Sequence, residues 1–434
     1  MVSSAADVNM LFTHDADDVL FQHQNTLNLL IINFNTASVT VFVDQNINKV
    51  LSGTFQHWLT IGDLEDTKSL FSVYQAAKKL SNKFAINLIL TGIENSNDII
   101  FMAQNVNGVS SKHQHKTYLL EAKNQSQINE PLAQNNEQLA QNIEWFLKGN
   151  YPLHDALVLA IAAGKSNKPA HIVWNDNIAD YPFISEISED SVNINSKGVN
   201  FDDFVARHKN STLVETKKYS FLNTNKQIGI YPVVDNLAHL ETLLEAGAKT
   251  IQLRIKTASS DPLLPNIIAE AVALGKQYHA HLYINDHWPL AITSGAYGIH
   301  LGQEDCMSAD LRAIADASIR LGISCHSFFE MLLAIQLSPS YIALGHIFPT
   351  TTKSMPSAPQ GLLNLTRYVT LIDDQIPTVA IGGINYERIN AVKKANVSGI
   401  AIVRAITEAD CPKTAFHQLN SVWQQDSGIK HVNG

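Results

Sequence analysis

The sequence predicts a two-domain α/β protein whose C-terminal half is a (β/α)8 TIM barrel. The chain has 434 residues, which is more than one ordinary domain needs. Its content of 45% hydrophobic and 16% charged residues is typical of globular proteins with a large core. From Gly229 onward, short β-branched runs alternate with amphipathic stretches eight times, which is the count that a barrel of this kind requires.

The eight predicted strands are short and rich in β-branched residues. They are 229–234, 250–254, 280–285, 297–301, 320–324, 341–345, 376–382 and 399–403. The stretches between them, for example 237–248 and 328–337, have the apolar spacing of amphipathic helices. A doubly wound open sheet is the alternative. Such sheets more often carry a G-x-G-x-x-G turn after their first strand, and no such turn follows 229–234.

The first half of the chain has a different composition, which changes near residue 215. We therefore expect an α/β domain at 1–215, a linker at 216–228, the barrel at 229–425 and a tail at 426–434. Apolar runs and helical patterns alternate in the first domain, at 27–34, 38–43, 67–80, 85–93, 116–122, 136–147 and 170–174. The run LAIAAGKS at 159–166 ends like a P-loop, but Leu159 stands where that motif needs glycine and the run looks helical.

Net charge and cysteine content argue against several classes of protein. The net charge of −9 argues against a nucleic-acid or anionic-membrane binder, which would need a basic face. Three cysteines, an odd number, favour a reducing compartment over a disulfide framework. No apolar run approaches the ~20 residues of a membrane helix, and the N-terminus lacks the basic region of a signal peptide. We expect a cytoplasmic enzyme, and homo-oligomerisation stays open.

Polar residues cluster where the predicted strands end, which is where a barrel places its active site. In strand order they are Gln252, Arg254 and Lys256; Asn285 and Asp286; His300 and Asp305; Ser324 and His326; Thr350, Thr351, Thr352 and Lys353; Gly382 and Gly383; and Val403 and Arg404. Taken singly, a strand-end Asp is usually a turn or helix cap, and a threonine run is usually a β-branched loop. The joint pattern favours a functional site.

The residue types in this pattern suit phosphorylated ligands and a metal. Asp286 and Asp305 follow adjacent strands and could hold one Mg²⁺, which prefers one or two carboxylates with water and phosphate oxygens. Arg254, Lys256 and Lys353 supply positive charge for a diphosphate. The turns after the last two strands lie where barrels commonly bind a phosphate. Two anion sites and a metal predict two phosphorylated substrates.

Seven motifs of the second half resemble, in order, those of the thiamine phosphate synthase (thiamine-phosphate pyrophosphorylase) family. They are QLRIK, INDHWPLAI, YGIHLGQED, GISCH, ALGHIFPTTTKSMPSAPQGL, VAIGGI and GIAIVRAI, within 229–422. The resemblance implies a (β/α)8 barrel and a Mg²⁺-dependent transferase of thiamine biosynthesis. This enzyme would join 4-amino-2-methyl-5-(diphosphooxymethyl)pyrimidine to a thiazole phosphate and release diphosphate.

The resemblance also implies roles for individual residues. The pyrimidine diphosphate would be bound by Gln252, Leu253, Arg254, Ile255, Lys256, Asn285, Ser324 and Lys353, and the thiazole phosphate by Thr350, Thr351, Thr352, Gly383, Val403 and Arg404. Arg254, Lys256 and Lys353 would stabilise the departing diphosphate, and Asp286 and Asp305 would ligate Mg²⁺. Many relatives have serine where this chain has Arg404. A guanidinium there could strengthen phosphate binding, whereas a role for the serine hydroxyl would put binding of the thiazole partner in doubt.

Two alternatives stay open. A barrel homologue that only binds or tautomerises thiazole phosphate would be expected to lose part of the diphosphate and metal set, which this chain keeps. A weaker resemblance links 137–165 to the last helices of ribokinase-like hydroxymethylpyrimidine phosphate kinases. The catalytic G-T-G-C turn of that family is missing here, so a degenerate domain is favoured over a bifunctional kinase–synthase.

Overall fold

The computed structural model describes residues 29–33, 38–43, 46–52, 78, 81, 87–91, 99–102, 116–121, 136–165, 174–187, 219–256, 260–350 and 357–425. The chain divides into two compact units, Met1–Glu215 and Thr216–Gly434. No helix in the part of the chain that the structure describes has the length and apolarity needed to span a bilayer.

The N-terminal unit contains a mixed β-sheet. Its described strands are β1 (Leu29–Asn33), β2 (Ser38–Val43), β3 (Asn46–Ser52), β4 (Asn87–Thr91), β5 (Ile99–Met102), β6 (Thr117–Glu121) and β7 (Phe183–Ile187). They are ordered β3-β2-β1-β4-β5-β6-β7. β1 and β4 are parallel, and the other neighbouring pairs are antiparallel. The mixed α/β content expected of this half is confirmed.

Two helices of this unit, α1 (Asn136–Lys148) and α2 (Leu153–Lys165), pack against each other. All of α2 from Leu153 to Ala163 is buried, so it is a core helix. Gly164 and Lys165 are its last two residues. A P-loop lies before its helix and aims backbone N–H groups at phosphate. Gly164 and Lys165, the described part of the GKS run, therefore lie at the end of a helix and not in a loop before one.

The C-terminal unit is a closed barrel of eight parallel strands, as predicted. The strands are β8 (Gly229–Val234), β9 (Thr250–Leu253), β10 (His281–Asn285), β11 (Gly298–Leu301), β12 (Arg320–Cys325), β13 (Tyr341–Leu344), β14 (Thr378–Ile381) and β15 (Gly399–Ile402). Each strand pairs with the next, and β15 pairs with β8 to close the barrel. Seven of the eight predicted strand ranges contain the observed strand, and β12 extends one residue beyond its predicted range of 320–324.

Helices follow the strands in the order expected for βα units. They are α3 (Leu237–Glu245), α4 (Leu264–Gln277), α5 (Trp288–Ser294), α6 (Gln303–Ser308), α7 (Leu311–Asp316), α8 (Phe328–Gln336), α9 (Gly361–Ile372), α10 (Ile389–Lys393), α11 (Arg404–Thr407) and α12 (Pro412–Gln424). Side-chain caps begin several of them. Ser327, for example, accepts a bond from the Glu330 amide at the start of α8.

The segment that precedes β8 packs against the N-terminal ends of the barrel strands. Ser340 Oγ donates to the Leu222 carbonyl at 2.6 Å, and Arg320 Nε donates to the Asn223 carbonyl at 3.0 Å. Tyr283 donates to the Thr224 hydroxyl at 3.0 Å. These contacts cover the end of the barrel opposite the predicted site.

Three tyrosines, Tyr231, Tyr283 and Tyr341, fill the barrel interior. Their rings need space that two strand glycines provide. A Cβ added at Gly298 would lie 2.3 Å from the Tyr283 ring, and one at Gly322 would lie 2.2 Å from the Tyr341 ring. Small residues on the neighbouring strands therefore permit a layer of large aromatic side chains.

We expect Gly322→Ala to destabilise the barrel by about 1–3 kcal/mol, because overpacking a filled core forces side chains and backbone to shift. Chemical denaturation measures this change. Gly164→Ala is the control, since nothing lies within 4 Å of a Cβ at that helical position. Equal unfolding free energies for Gly322→Ala and the unsubstituted protein would contradict the packing argument.

Candidate functional site

A cavity of about 540 Å³ opens at the C-terminal ends of the barrel strands. It is lined by residues near the ends of the strands and by the loops and helices that follow them, because all eight parallel strands end at this rim. The predicted site residues among the lining are Gln252, Arg254, Asn285, Asp286, Asp305, Ser324, Thr350, Gly383, Val403 and Arg404. The structure thus brings together residues that are up to about 150 positions apart in the sequence.

The remaining predicted site residues lie elsewhere or are not described. Leu253 is buried within β9, while Ile255 and the exposed Lys256 follow that strand without lining the cavity. Thr351, Thr352 and Lys353 lie outside the described residues.

The carboxyl groups of Asp286 and Asp305 meet across the ends of β10 and β11. Asp286 directly follows β10 with a φ of 63°, and its amide donates to the His300 carbonyl at 3.0 Å. Asp305 lies in the first turn of α6. Burial and the neighbouring Asp305 carboxyl raise the pKa of Asp286 to about 6, and Arg254 acts in the opposite direction. Two acidic groups with an arginine nearby form a strongly polar corner of the cavity.

This pair fits a hard divalent cation. The two adjacent carboxylates repel each other, so a positive charge between them is stabilising. Because the two side chains are within hydrogen-bonding distance, one cation could contact an oxygen of each. Within the described residues, no group of three or more His, Cys, Asp or Glu side chains could hold a metal. Water or substrate oxygens would have to supply the other ligands, which is the usual arrangement for Mg²⁺.

We expect metal affinity to fall as the pH drops through about 6. The pKa of Asp286 is raised to about 6, so below that pH a metal must displace a proton to reach the pair. Titration of Mn²⁺ into the protein at several pH values should show a loss approaching about tenfold per pH unit on the acid side. Affinity that does not change across this range would contradict the assignment, and Asp286→Asn should remove the pH dependence.

The wall beside the carboxyl pair carries groups suited to a diphosphate. The charge of Arg254 lowers the pKa of Asp286, so the Arg254 guanidinium lies near the Asp286 carboxyl group. The Asn285 side chain hydrogen-bonds the same carboxyl group. The Arg254 backbone amide donates to the Val234 carbonyl at 2.7 Å and so anchors the end of β9. Ser324, near the end of β12, is held through its carbonyl, which accepts a 2.9 Å bond from Gln303 Nε2.

The opposite wall is a backbone cradle at the ends of β14 and β15. Gly382 and Gly383 both have positive φ, at 99° and 64°. A Cβ at Gly383 would lie 2.5 Å from the Pro349 carbonyl oxygen, so glycine is needed there on steric as well as conformational grounds. Val403 and Arg404 lie beside this turn in the same cavity wall. Exposed backbone N–H groups in such turns suit a phosphate.

Several cavity residues were given no individual role from the sequence, although His326 was among the polar residues noted at strand ends. His326 lines the cavity, and the buried carboxylate of Glu330 holds it from both its backbone amide, at 2.8 Å, and its Nδ1, at 3.2 Å. His346 is also in the wall, and burial and the charge of His326 lower its pKa. The S-x-x-E pattern at 327–330 signals a helix start and could have drawn attention to Glu330.

Arg388 is a second unpredicted group. It donates to the Gly383 carbonyl, and its guanidinium lies 4.5 Å from the centre of the Phe348 ring. Arg388 therefore supports the glycine turn from the cavity side. Nothing in the local sequence signals this contact, because Phe348 belongs to the loop after a different strand.

Comparison with known proteins agrees with the geometry. The family model described as thiamine monophosphate synthase matches residues 229–406. A thiamine-phosphate synthase of Pectobacterium atrosepticum is 53% identical over 194 residues, or 45% of this chain and 91% of that protein. One from Yersinia pestis is 54% identical over 199 residues, or 46% of this chain and 92% of that protein.

Among solved structures, a thiamine phosphate pyrophosphorylase from Pyrococcus furiosus is 30% identical, with a TM-score of 0.41, and covers 45% of this chain and 96% of that one. The kinase-like resemblance of the N-terminal half finds no support in these matches, since the matched family segment lies within the barrel. Because these relatives are matched over about nine-tenths of their length at 53% and 54% identity, the chain belongs, through its C-terminal barrel, to the thiamine-phosphate synthase family.

Proposed function

We propose that the barrel joins 4-amino-2-methyl-5-(diphosphooxymethyl)pyrimidine to 4-methyl-5-(2-phosphooxyethyl)thiazole, forming thiamine phosphate and diphosphate. One observation carries this proposal. A single cavity has an acidic pair with Arg254 on one wall and a glycine turn with Arg404 on the other. It therefore offers two separate anion sites, one of them beside a place for a cation.

The reaction breaks a C–O bond and forms a C–N bond. As the diphosphate leaves, negative charge grows on its oxygens and positive charge grows on the pyrimidine methylene carbon. The thiazole nitrogen supplies the electron pair for the new bond. Mg²⁺ held by Asp286 and Asp305 would supply positive charge to the departing oxygens. No protein nucleophile is needed, so the chain's role is positioning and electrostatic stabilisation.

We assign the pyrimidine diphosphate to the wall formed by Arg254, Asn285 and Ser324. Arg254 offers a planar fork of N–H donors that matches phosphate oxygens. Its position beside Asp286 puts this charge where the C–O bond would break. Gln252 lies deeper in the cavity and is almost fully buried, so it is suited to contact the uncharged heterocycle.

We assign the thiazole phosphate to the turn at Gly383 and to the Val403–Arg404 backbone. Thr350 lines the same cavity and would add a hydroxyl donor. Thr351 and Thr352 belong to this assignment, and Lys353 belongs to that of the pyrimidine diphosphate, on the family resemblance alone. The Arg404 side chain, where many relatives have serine, places an additional positive charge at this wall and would strengthen phosphate binding.

We also propose that the protein works in the cytoplasm. Cys306, Cys325 and Cys411 are all free thiols, and two of them are buried. Proteins of oxidising compartments more often pair their cysteines. The small-molecule substrates require no nucleic-acid or membrane partner.

The decisive experiment mixes the purified chain with both phosphorylated heterocycles, with and without Mg²⁺. We expect equal amounts of thiamine phosphate and diphosphate with the metal, and neither after chelation. Asp286→Asn serves as the matched inactive protein. Binding of the thiazole phosphate without any release of diphosphate would instead indicate a binding or tautomerising homologue.

A further inference from the structure

A chain of hydrogen bonds runs beneath the floor of the cavity. Gln252 Nε2 donates to the Tyr231 hydroxyl at 3.2 Å, and the Tyr231 and Tyr341 hydroxyls are 3.0 Å apart. The Tyr341 hydroxyl lies 2.8 Å from Nδ1 of His300. All four side chains are at least nine-tenths buried. Both ends of the chain, Gln252 and His300, line the cavity, while the two tyrosines do not.

The number of hydroxyl protons determines which group donates in each of these hydrogen bonds. Each tyrosine has one hydroxyl proton, and burial raises the pKa of both hydroxyls, so both keep that proton at neutral pH. Tyr231 accepts from Gln252, so its own proton is available for the Tyr341 oxygen. The Tyr341 proton is then available for Nδ1 of His300. In this direction each of the three bonds joins one proton to one acceptor, and Nδ1 of His300 is an acceptor without a proton.

We propose that Tyr231 and Tyr341 are positioning residues that hold His300 as the neutral tautomer protonated on Nε2. The same chain holds the Gln252 amide with its nitrogen toward Tyr231, so its oxygen is turned away from the tyrosines. The cavity floor then carries one N–H donor and one carbonyl acceptor in fixed orientations.

This donor and acceptor complement an aminopyrimidine, whose ring nitrogen accepts and whose amino group donates. That consequence rests on the proposed function, whereas the tautomer itself does not. A 4-oxo analogue has the reverse pattern along this edge, so its donor would face the His300 N–H and its acceptor would face the Gln252 carbonyl, a mismatch that sites of this kind reject strongly.

Packing holds these hydrogen-bonded side chains in position. The His300 and Tyr341 rings are stacked, with centroids 5.7 Å apart and planes inclined by 19°. Gly322 leaves the space that the Tyr341 ring occupies. Because neither ring can turn without displacing its neighbours, the hydroxyl of Tyr341 stays directed at His300.

The test compares Tyr341→Phe with Tyr283→Phe. Each substitution removes one buried hydroxyl from the same aromatic layer, but the Tyr283 hydroxyl bonds Thr224 at the other end of the barrel. The protein is labelled with ¹⁵N-histidine, and the His300 ring signals are identified by their loss in His300→Gln. Long-range ¹H–¹⁵N spectra then report which ring nitrogen carries the proton, with no substrate present.

We expect the proton on Nε2 in the unsubstituted protein and in Tyr283→Phe, and a mixture of tautomers in Tyr341→Phe. In the synthase assay, Tyr341→Phe should raise the KM for the pyrimidine diphosphate roughly tenfold and leave the KM for the thiazole phosphate unchanged. A proton on Nδ1 in the unsubstituted protein would overturn the proposal, and so would the same KM change in Tyr283→Phe. If Tyr341→Phe does not fold, the spectrum of the unsubstituted protein still decides. Because the spectra need no turnover, an inactive protein with the expected tautomer would count against the proposed function alone.

Discussion

Asp286→Asn is expected to lower Mg²⁺-dependent turnover by about 10²–10³ or more, since it removes one of the two proposed metal ligands and a charge beside the proposed position of the departing diphosphate. Asparagine keeps the size and shape of the side chain and one of its acceptor oxygens, so the barrel should remain folded. The rate of diphosphate release at saturating substrate measures the effect. Asp316→Asn, an exposed site on α7, removes the same charge and should leave the rate unchanged.

The same substitution should make the metal-free protein more stable at neutral pH. The pKa of Asp286 is raised from its ordinary value of 3.8 to about 6, so the folded state binds this proton more tightly than the unfolded chain does. Its contribution to stability is complete below the ordinary pKa and is lost as the pH rises through about 6.

At pH 7 the ionised carboxylate therefore opposes folding, and asparagine removes this effect. We expect a gain of about 1–2 kcal/mol in the free energy of unfolding, after allowing for screening at a partly exposed group. Thermal unfolding of both proteins without metal measures the gain. Full activity in Asp286→Asn, or a loss of stability at pH 7, would contradict the metal-site assignment.

Arg254→Ala is expected to reduce kcat/KM for the pyrimidine diphosphate by about 10²–10³, because it removes a charged donor from the cavity wall proposed to bind the diphosphate. The substitution should also raise the pKa of Asp286, because the charge of Arg254 lowers that pKa in the unsubstituted protein. The pH midpoint of metal binding should therefore move upward. Steady-state kinetics and the Mn²⁺ titration described above measure the two effects.

Two further variants separate charge from geometry. Arg254→Lys keeps the positive charge but loses the planar pair of N–H donors. We therefore expect its pH midpoint of metal binding to be close to that of the unsubstituted protein, while its kcat/KM stays reduced. Arg312→Ala, at an exposed position on α7, has the same change in net charge and should alter neither property. If Arg254→Ala changed only the thiazole phosphate KM, the assignment of the two walls would be reversed.

The barrel could be predicted from the sequence because its signal is local and repeated. Eight β-branched runs with amphipathic stretches between them correspond to the eight observed strands. The strand and the helix of each unit are recognised from neighbouring residues, and eight such units favour a closed barrel over an open sheet. The N-terminal half lacks such a repeat, and its mixed strand order could not be derived from local pattern.

Much of the candidate site could also be predicted, for a geometric reason. In a parallel barrel every strand ends at one rim, so a polar residue just after a strand is directed to a shared place. This reasoning located Asp286, Asp305 and Gly383. The same reasoning also selected Lys256 after β9, but this residue is exposed and does not line the cavity.

By itself, then, the sequence determined the eightfold alternation, the rim that carries the site and the charged groups available there. Tertiary structure alone decided which of these groups touch. It brought Arg388 to the Phe348 ring, Glu330 to His326, and the Tyr341 hydroxyl to His300. These contacts depend on ring sizes, on space left by glycines such as Gly322 and on strand register. Such features arise only when distant segments pack together, and periodicity along the chain does not record them.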